Sequence, residues 1–257
     1  MKIINITKII ALASLILFSA PSFAENHDNS IDHYKIMTDN YPPYNFGKGK
    51  DLQGVSVEIF ELILKELHSK HSKKDIEVLG WAKAYHDLHK NKHAMLFSTA
   101  KTEERIHLFK WVGPIVPTKI SLIADKSKNI KIKNLKELEQ YKVGVVRSDV
   151  GEELLLNAHV PKKHLTAVTD IEHNIKKLST GRIDLIAYDE EAFDWALKEH
   201  EGEHPDKYET VYVLAESDLY FAFNKHTPDE LISSLQAALD KVKASKSYDQ
   251  ILKKYSN

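Results

Sequence analysis

No cysteine occurs anywhere in the 257 residues. That excludes a disulfide framework, and it excludes a lipid-anchored precursor, which needs a cysteine at its processing site. Glycine is scarce, with nine in the whole chain, and no stretch spells a P-loop, a dinucleotide-binding fingerprint or a nucleophile elbow. An excess of either charge is missing too. Lysine and arginine number 36 against 37 aspartates and glutamates, for a net charge of −1, so there is no electrostatic footprint for nucleic acid. Long apolar runs are also absent: IIALASLILF over 9–18 is too short to span a bilayer, and no later segment is longer.

That short run has the surroundings of an export signal. Lys2 and Lys8 make a positive start, and Pro21-Ser22-Phe23-Ala24 puts small residues three and one positions before a cut after Ala24. The sequence thus predicts a signal peptide over 1–24 and an exported chain held in a periplasm by the outer membrane of a Gram-negative cell.

The remainder alternates strand and helix. Residues 33–39 (HYKIMTD) alternate polar and apolar before a turn-rich loop, and 55–68 carry apolar residues at helical spacing. A strand is expected at 75–79, a helix at 82–90 and a strand at 94–98. Strand–helix–strand repetition means parallel sheet with right-handed crossovers. After a strand at 120–124 the pattern restarts: a short helix at 135–140, a strand at 142–146, helices at 151–158 and 171–178, a strand at 182–188 and a helix at 190–200. A strand at 219–223 leads to a last helix, for which Thr227, Pro228 and Glu230 offer a cap hydroxyl, a first-turn proline and a capping-box acid. The expectation is an α/β protein of two lobes with two parallel-core sheets joined by two hinge strands. The first lobe is 25–119 with 220–257, the second 120–219.

Four segments in this order carry a family resemblance: TDNYPPYNF with LQGVSVEIFELILKEL (38–67), STAKTEERIHLFKWVGPI (98–115), KVGVVRSDVGEELL (142–155) and TGRIDLIAYDE (180–190). Together they resemble the family 3 extracellular solute-binding proteins, which bind polar amino acids for ABC importers and have the type II periplasmic-binding-protein fold. The resemblance implies a binding protein and not an enzyme. It implies closure on a small amino-acid or related carboxylate ligand, an inner-membrane ABC permease as partner, a monomer, and neither cofactor nor metal.

It also implies roles for particular residues. Arg105, in Thr102-Glu103-Glu104-Arg105, falls where the family grips the ligand carboxylate, and a guanidinium fork suits a carboxylate bidentately. Asp189 falls where the family binds the ligand ammonium, although an aspartate there is equally fit to cap the helix that follows. The turn before 151–158 brings Asp149 and Val150 to a helix start whose free N–H groups suit an anion. Asp149 departs from the family's frequent threonine, and its carboxylate would repel an anionic ligand unless turned away. Tyr41 and Trp81 are expected as pocket walls, with Tyr44 and Phe46 on the same aromatic loop, and Ser98 as a polar contact. Lys83 and Lys101 stand where a related subgroup has arginine, which would alter selectivity if they touch ligand.

Two other classes stay in view. Fourteen histidines, including His86, His89 and His93 on one helix and its end, raise a metal site, but their runs are mixed with lysines and acids. A periplasmic dehydratase acting on cyclic acids shares the fold and would need a cleft acid such as Asp149 or Glu190. A sensing module without a transport role is the third alternative.

Overall fold

The computed structural model describes residues 30–198 and 202–256. The expected signal peptide and His200 lie outside the described residues. In chain order the elements are β1 (Lys35–Thr38), α1 (Val55–Glu66), β2 (Glu77–Val78), α2 (Trp81–Lys90), β3 (Ala94–Ala100), β4 (Phe109–Asp125), β5 (Val143–Val146), α3 (Val150–Asn157), β6 (Leu165–Val168), α4 (Ile171–Ser179), β7 (Leu185–Asp189), α5 (Glu190–Leu197), β8 (Tyr208–Asn224), α6 (Asp229–Lys243) and α7 (Lys246–Tyr255).

The two expected parallel sets are present. β2-β1-β3 form one and β6-β5-β7 the other, and β8 and β4 between them join everything into one sheet of order β2-β1-β3-β8-β4-β7-β5-β6. β4 and β8 are the crossing strands, 17 residues each and paired antiparallel along their length. At about 3.3 Å per residue each runs about 55 Å, enough to serve both lobes. Their ladder is broken where Gly113-Pro114-Ile115 of β4 face Tyr220 alone, between the pairs Val112↔Phe221 and Val116↔Leu219. Proline gives the ladder no N–H, so the join is weakly tied there.

Each lobe is built round its own apolar core. In the first, α1 turns Val57, Ile59, Phe60, Ile63 and Leu64 inward, and α6 meets it with Leu231, Leu235, Leu239 and Val242. Phe60, Phe97 and Phe221 form the centre, with ring centroids 4.9–5.1 Å apart. Each such buried ring is worth about 1.5–3 kcal/mol. In the second, β5 and β7 are buried along their whole length under α3, α4 and α5.

One local device matters for the site. The first-turn N–H groups of α1 donate to loop carbonyls, Val55 to Pro43 O (3.0 Å) and Ser56 to Tyr44 O (2.9 Å). This fastens the loop carrying Tyr41 and Tyr44 to a buried helix. Gly54 makes the junction at φ 126°, where a Cβ would sit 2.4 Å from the Tyr44 carbonyl oxygen.

Several expectations change in detail. β4 and β8 are far longer than 120–124 and 219–223. β6 and α7 were not expected, and 135–140 is a 3-10 segment. The capping box at 227–230 does not form: α6 starts at Asp229 after Pro228, and Thr227 Oγ1 has no hydrogen-bond partner among the described residues.

Candidate functional site

The carboxyl ends of β1, β3, β5 and β7 meet between the lobes, the place where open α/β sheets collect ligands. A small cavity lies there, lined by Asp39, Tyr41, Trp81, Ser98, Ala100, Arg105, Val146, Asp149, Val150, Tyr188 and Leu219. Its volume is about 20 Å³, about the room of a single water molecule. Nothing much larger than water enters unless the lobes part, so this is a closed arrangement.

Arg105 is the centre of the cavity. The 102–105 turn (Arg105 N to Thr102 O, 3.1 Å) follows β3 and carries the side chain inward, where it is fully buried. The guanidinium carbon stands 5.0 Å from the Tyr85 ring and 5.7 Å from the Trp81 ring. Those rings stack on each other at 5.5 Å, so aromatic faces from α2 hold the guanidinium. Its Nε donates to Glu153 Oε2 at 2.7 Å, an ion pair that crosses from the first lobe to α3 of the second. Nη1 and Nη2 are buried with no hydrogen-bond partner among the described residues. A buried guanidinium edge of this kind is costly unless an acceptor meets it.

Other contacts also span the cleft. Trp81 Nε1 donates to Ser148 O at 2.7 Å. Ser148 holds φ at 60°, and its N–H donates to Glu152 Oε2 (2.7 Å). Tyr41 packs on Tyr44 (4.9 Å) and, across the cleft, on Tyr188 (5.8 Å).

The acids divide into two kinds. Asp39, just past β1, accepts from Asn45 Nδ2 at 3.1 Å. Burial, with the charge of Asp149 second, pushes its carboxyl up to about 7. Asp149 is pushed up to about 6 by burial, eased by the Arg105 charge and the Val150 N–H. Burial and neighbouring carboxylates also hold the Tyr41 and Tyr188 hydroxyls well above their usual range.

Asp189 behaves otherwise. It does not line the cavity; its Oδ1 accepts from Ala192 N (2.7 Å) and the Tyr44 hydroxyl (3.3 Å), its Oδ2 from the Thr118 hydroxyl (2.6 Å) and Lys119 N (3.3 Å). This is the helix-capping alternative, with four donors filling both oxygens. Burial still outweighs them and keeps the carboxyl above its usual range.

The structure therefore brings Arg105, Tyr41, Trp81, Ser98, Asp149 and Val150 together, while Asp189 stands beside this cavity and meets the first lobe through the Tyr44 hydroxyl. Ser98 is less available than expected. Its hydroxyl donates to Asn45 Oδ1 (2.5 Å) and lies 2.8 Å from Ser56 Oγ, so its one hydrogen is spent within the first lobe. Ser98 sits at φ 47° in the bulge where β3 slips against β8 between Leu96 and Thr99. Tyr44 and Phe46 pack elsewhere, Phe46 against Trp195 and Tyr255. Neither Lys83, which pairs with Asp87 at 2.8 Å, nor Lys101, which lies over Tyr220, lines the cavity. Glu190 is held outside it by Ser121, Thr210 and Lys119. His89 is packed between Tyr85 and Phe109, and no three metal-ligating side chains converge among the described residues.

Asp39, Tyr85, Glu153 and Tyr188 were missed. The signal for Asp39 is its place, the first residue past a parallel strand.

Lobes joined by two crossing strands, with the cavity between them, define the type II periplasmic-binding-protein fold. Residues 34–257 match the bacterial extracellular solute-binding proteins, family 3, and the chain belongs to that family. A probable histidine-binding protein of Campylobacter jejuni is 26% identical over 246 residues, which cover 90% of this chain and 88% of that one. Among solved structures, a histidine kinase sensor domain with similarity to periplasmic binding proteins matches with a TM-score of 0.73 at 18% identity, over 87% of this chain and 97% of that one. An arginine-, lysine-, histidine-binding protein from Geobacillus stearothermophilus matches with a TM-score of 0.70 at 18% identity, over 86% and 94%. At such identities the structural likeness is one of fold. Members of the family are binding proteins rather than enzymes, and no described helix is long and apolar enough to cross a membrane.

Proposed function

We propose that the protein captures an α-amino acid between its lobes and delivers it, in the closed form, to an inner-membrane ABC permease. The observation that carries this reading is the Arg105 edge: two guanidinium nitrogens, buried and without a protein acceptor, facing a cavity whose far side holds carboxyl groups. A carboxylate fits that edge bidentately, and a positive group on the same ligand meets the acids. The name of the Campylobacter jejuni relative, with which this chain shares most of its length, supports an amino acid as ligand.

Closure is rigid-body movement of 120–219 against the rest of the chain, about β4 and β8. The ligand favours the closed state because only that state surrounds it. The protein is exported by cleavage after Ala24 and works in the periplasm as a monomer. The sensor-domain neighbour supports a second reading, in which a membrane sensor reads the same closure.

The test is a thermal-shift panel of amino acids on the protein freed of bound ligand. A ligand at about a hundred times its dissociation constant adds about 2.7 kcal/mol of stability. Arg105→Ala should remove the shift, costing about 2–5 kcal/mol of binding because a buried charge contact is lost. A panel without any amino-acid hit, or a hit that Arg105→Ala leaves unchanged, overturns the assignment.

A further inference from the structure

The first loop meets the second lobe at a further place, beside the cavity. Tyr44, whose side chain is buried, sends its hydroxyl to the start of α5, where it lies 3.3 Å from Asp189 Oδ1 and 3.3 Å from Glu191 Oε2. One turn along the same helix face, Trp195 packs on Phe46 of the same loop, with ring centroids 5.8 Å apart.

A phenol has one hydrogen. It cannot donate to both carboxylates, so with both ionised one of them faces the Tyr44 oxygen with no proton between. Asp189 is the better supplied of the two, since the Thr118 hydroxyl, Lys119 N and Ala192 N also donate to it. Glu191 has the Tyr44 hydroxyl as its one hydrogen-bond partner among the described residues. Both contacts are made at once when Glu191 carries a proton: its carboxyl donates to the Tyr44 oxygen, and Tyr44 donates to Asp189.

We propose that a proton on Glu191 completes a latch between the lobes, running from Glu191 to Tyr44 to Asp189, so that closing takes up this proton and acid favours the closed form. This rests on the closing movement proposed above and on no particular ligand.

The surroundings of Glu191 favour that proton. Asp189 and Asp194 flank it on α5, and Glu190 beside it is paired with Lys119 of β4 at 3.1 Å. Glu216 and Asp218 of β8 line the groove of about 570 Å³ that Glu191 shares with Tyr44. Lys198, whose Nζ lies over the Trp195 ring, opposes them. Burial, with the charge of Asp189 second, raises the Glu191 carboxyl above its usual range. Parting the lobes withdraws the Tyr44 oxygen and returns the carboxyl to water. A carboxyl held more tightly protonated in the closed form than in the open one stabilises closure fully below its open value, about 4.3, and loses that effect as pH rises through its closed value. One proton changes the closed-to-open ratio by at most about tenfold per pH unit.

The test is small-angle scattering of the ligand-free protein from pH 8 to pH 5, on the wild type, Glu191→Gln and Tyr44→Phe. The wild type should contract as pH falls. Glu191→Gln has an amide that donates to the Tyr44 oxygen at every pH. It should be more compact than the wild type at pH 8 and should lose the Glu191 share of the pH dependence; whatever remains belongs to Asp39 and Asp149 of the cavity. Tyr44→Phe keeps the ring and breaks the latch, so it should be more open than the wild type at pH 5. A wild-type radius of gyration equal at pH 8 and pH 5 overturns the proposal, and so does Glu191→Gln following the wild type at every pH. Each sample is measured again with a mixture of the common amino acids. Contraction with that mixture but not with acid leaves the closing movement standing and removes this inference. No contraction with either removes both.

Discussion

The Arg105–Glu153 ion pair makes a prediction that separates closure from ligand contact. Glu153 belongs to α3 of the second lobe, Arg105 to the first, and they meet at 2.7 Å with Arg105 wholly buried and the Glu153 side chain 26% exposed. The bond exists only when the lobes are together. A hydrogen bond between charged groups with one partner buried contributes about 1.5–3 kcal/mol. Glu153→Ala should therefore lower the closed-to-open ratio about ten- to a hundred-and-fifty-fold. Glu153→Gln, which keeps an acceptor oxygen, should lose roughly half of that free energy. Apparent affinity scales with the fraction of chains able to close, so the loss appears in the dissociation constant when the ligand-free protein is mainly open. Where it is mainly closed, the loss appears first as a larger radius of gyration without ligand. Titration calorimetry and small-angle scattering on the same samples read both. Unchanged affinity together with unchanged ligand-free scattering would refute the latch. Tighter binding in Glu153→Ala would refute it too, since that result means the carboxylate competes with the ligand for Arg105.

Two further predictions follow from packing and ionisation. Gly151 in α3 lies against β7, where a Cβ would approach the Ala187 carbonyl oxygen to 2.5 Å. Gly151→Ala should push α3 off the sheet, lowering the melting temperature and weakening ligand binding through displaced Asp149 and Glu153; a melting curve and titration equal to wild type would show that the helix start does not position the site. The second concerns pH. Asp39, facing Asp149 and Glu172, and Asp149, facing Arg105, Asp189 and Glu153, hold their protons up to about 7 and about 6. Both lose them near 4 when unfolded. The folded chain thus binds more protons between about pH 4 and 7, so these two groups add stability as pH falls through that window. His89, its ring partly covered by Tyr85 and Phe109 and its pKa lowered mainly by desolvation, opposes them on the acid side. Calorimetry of the ligand-free protein should show the melting temperature rising from pH 8 to 5, with Asp39→Asn flattening the slope. A slope indifferent to Asp39→Asn would remove Asp39 as its source.

Most of the fold was legible because its strands and helices carry apolar period where they face a lobe core. α1 and α4 were readable from their buried stripes, and β5 and β7 from unbroken apolar runs. The elements that escaped lack that signal. β6 is a half-exposed edge strand, and α7 buries only Ile251 and Tyr255 among lysines. β4 and β8 extend through Gly113, Pro114 and Pro117 on one side and through 208–218, with Glu209, Glu216 and Asp218, on the other, and only long-range pairing makes those stretches strand. The site divides on the same line. Arg105 follows from a local turn. The contrast between Asp149 and Asp189 does not, since each reads simply as an aspartate between a strand and a helix. What sends one carboxylate onto its helix and leaves the other in the cavity is the company each finds. Thr118 of β4 and Tyr44 of the first loop reach Asp189, from 71 and 145 residues away in sequence. Among the described residues no distant hydrogen-bond donor reaches Asp149, which meets only the charge of Arg105 and its neighbour's N–H. Which aspartate is left facing the cavity is therefore set by the distant chain, a property that no local motif encodes.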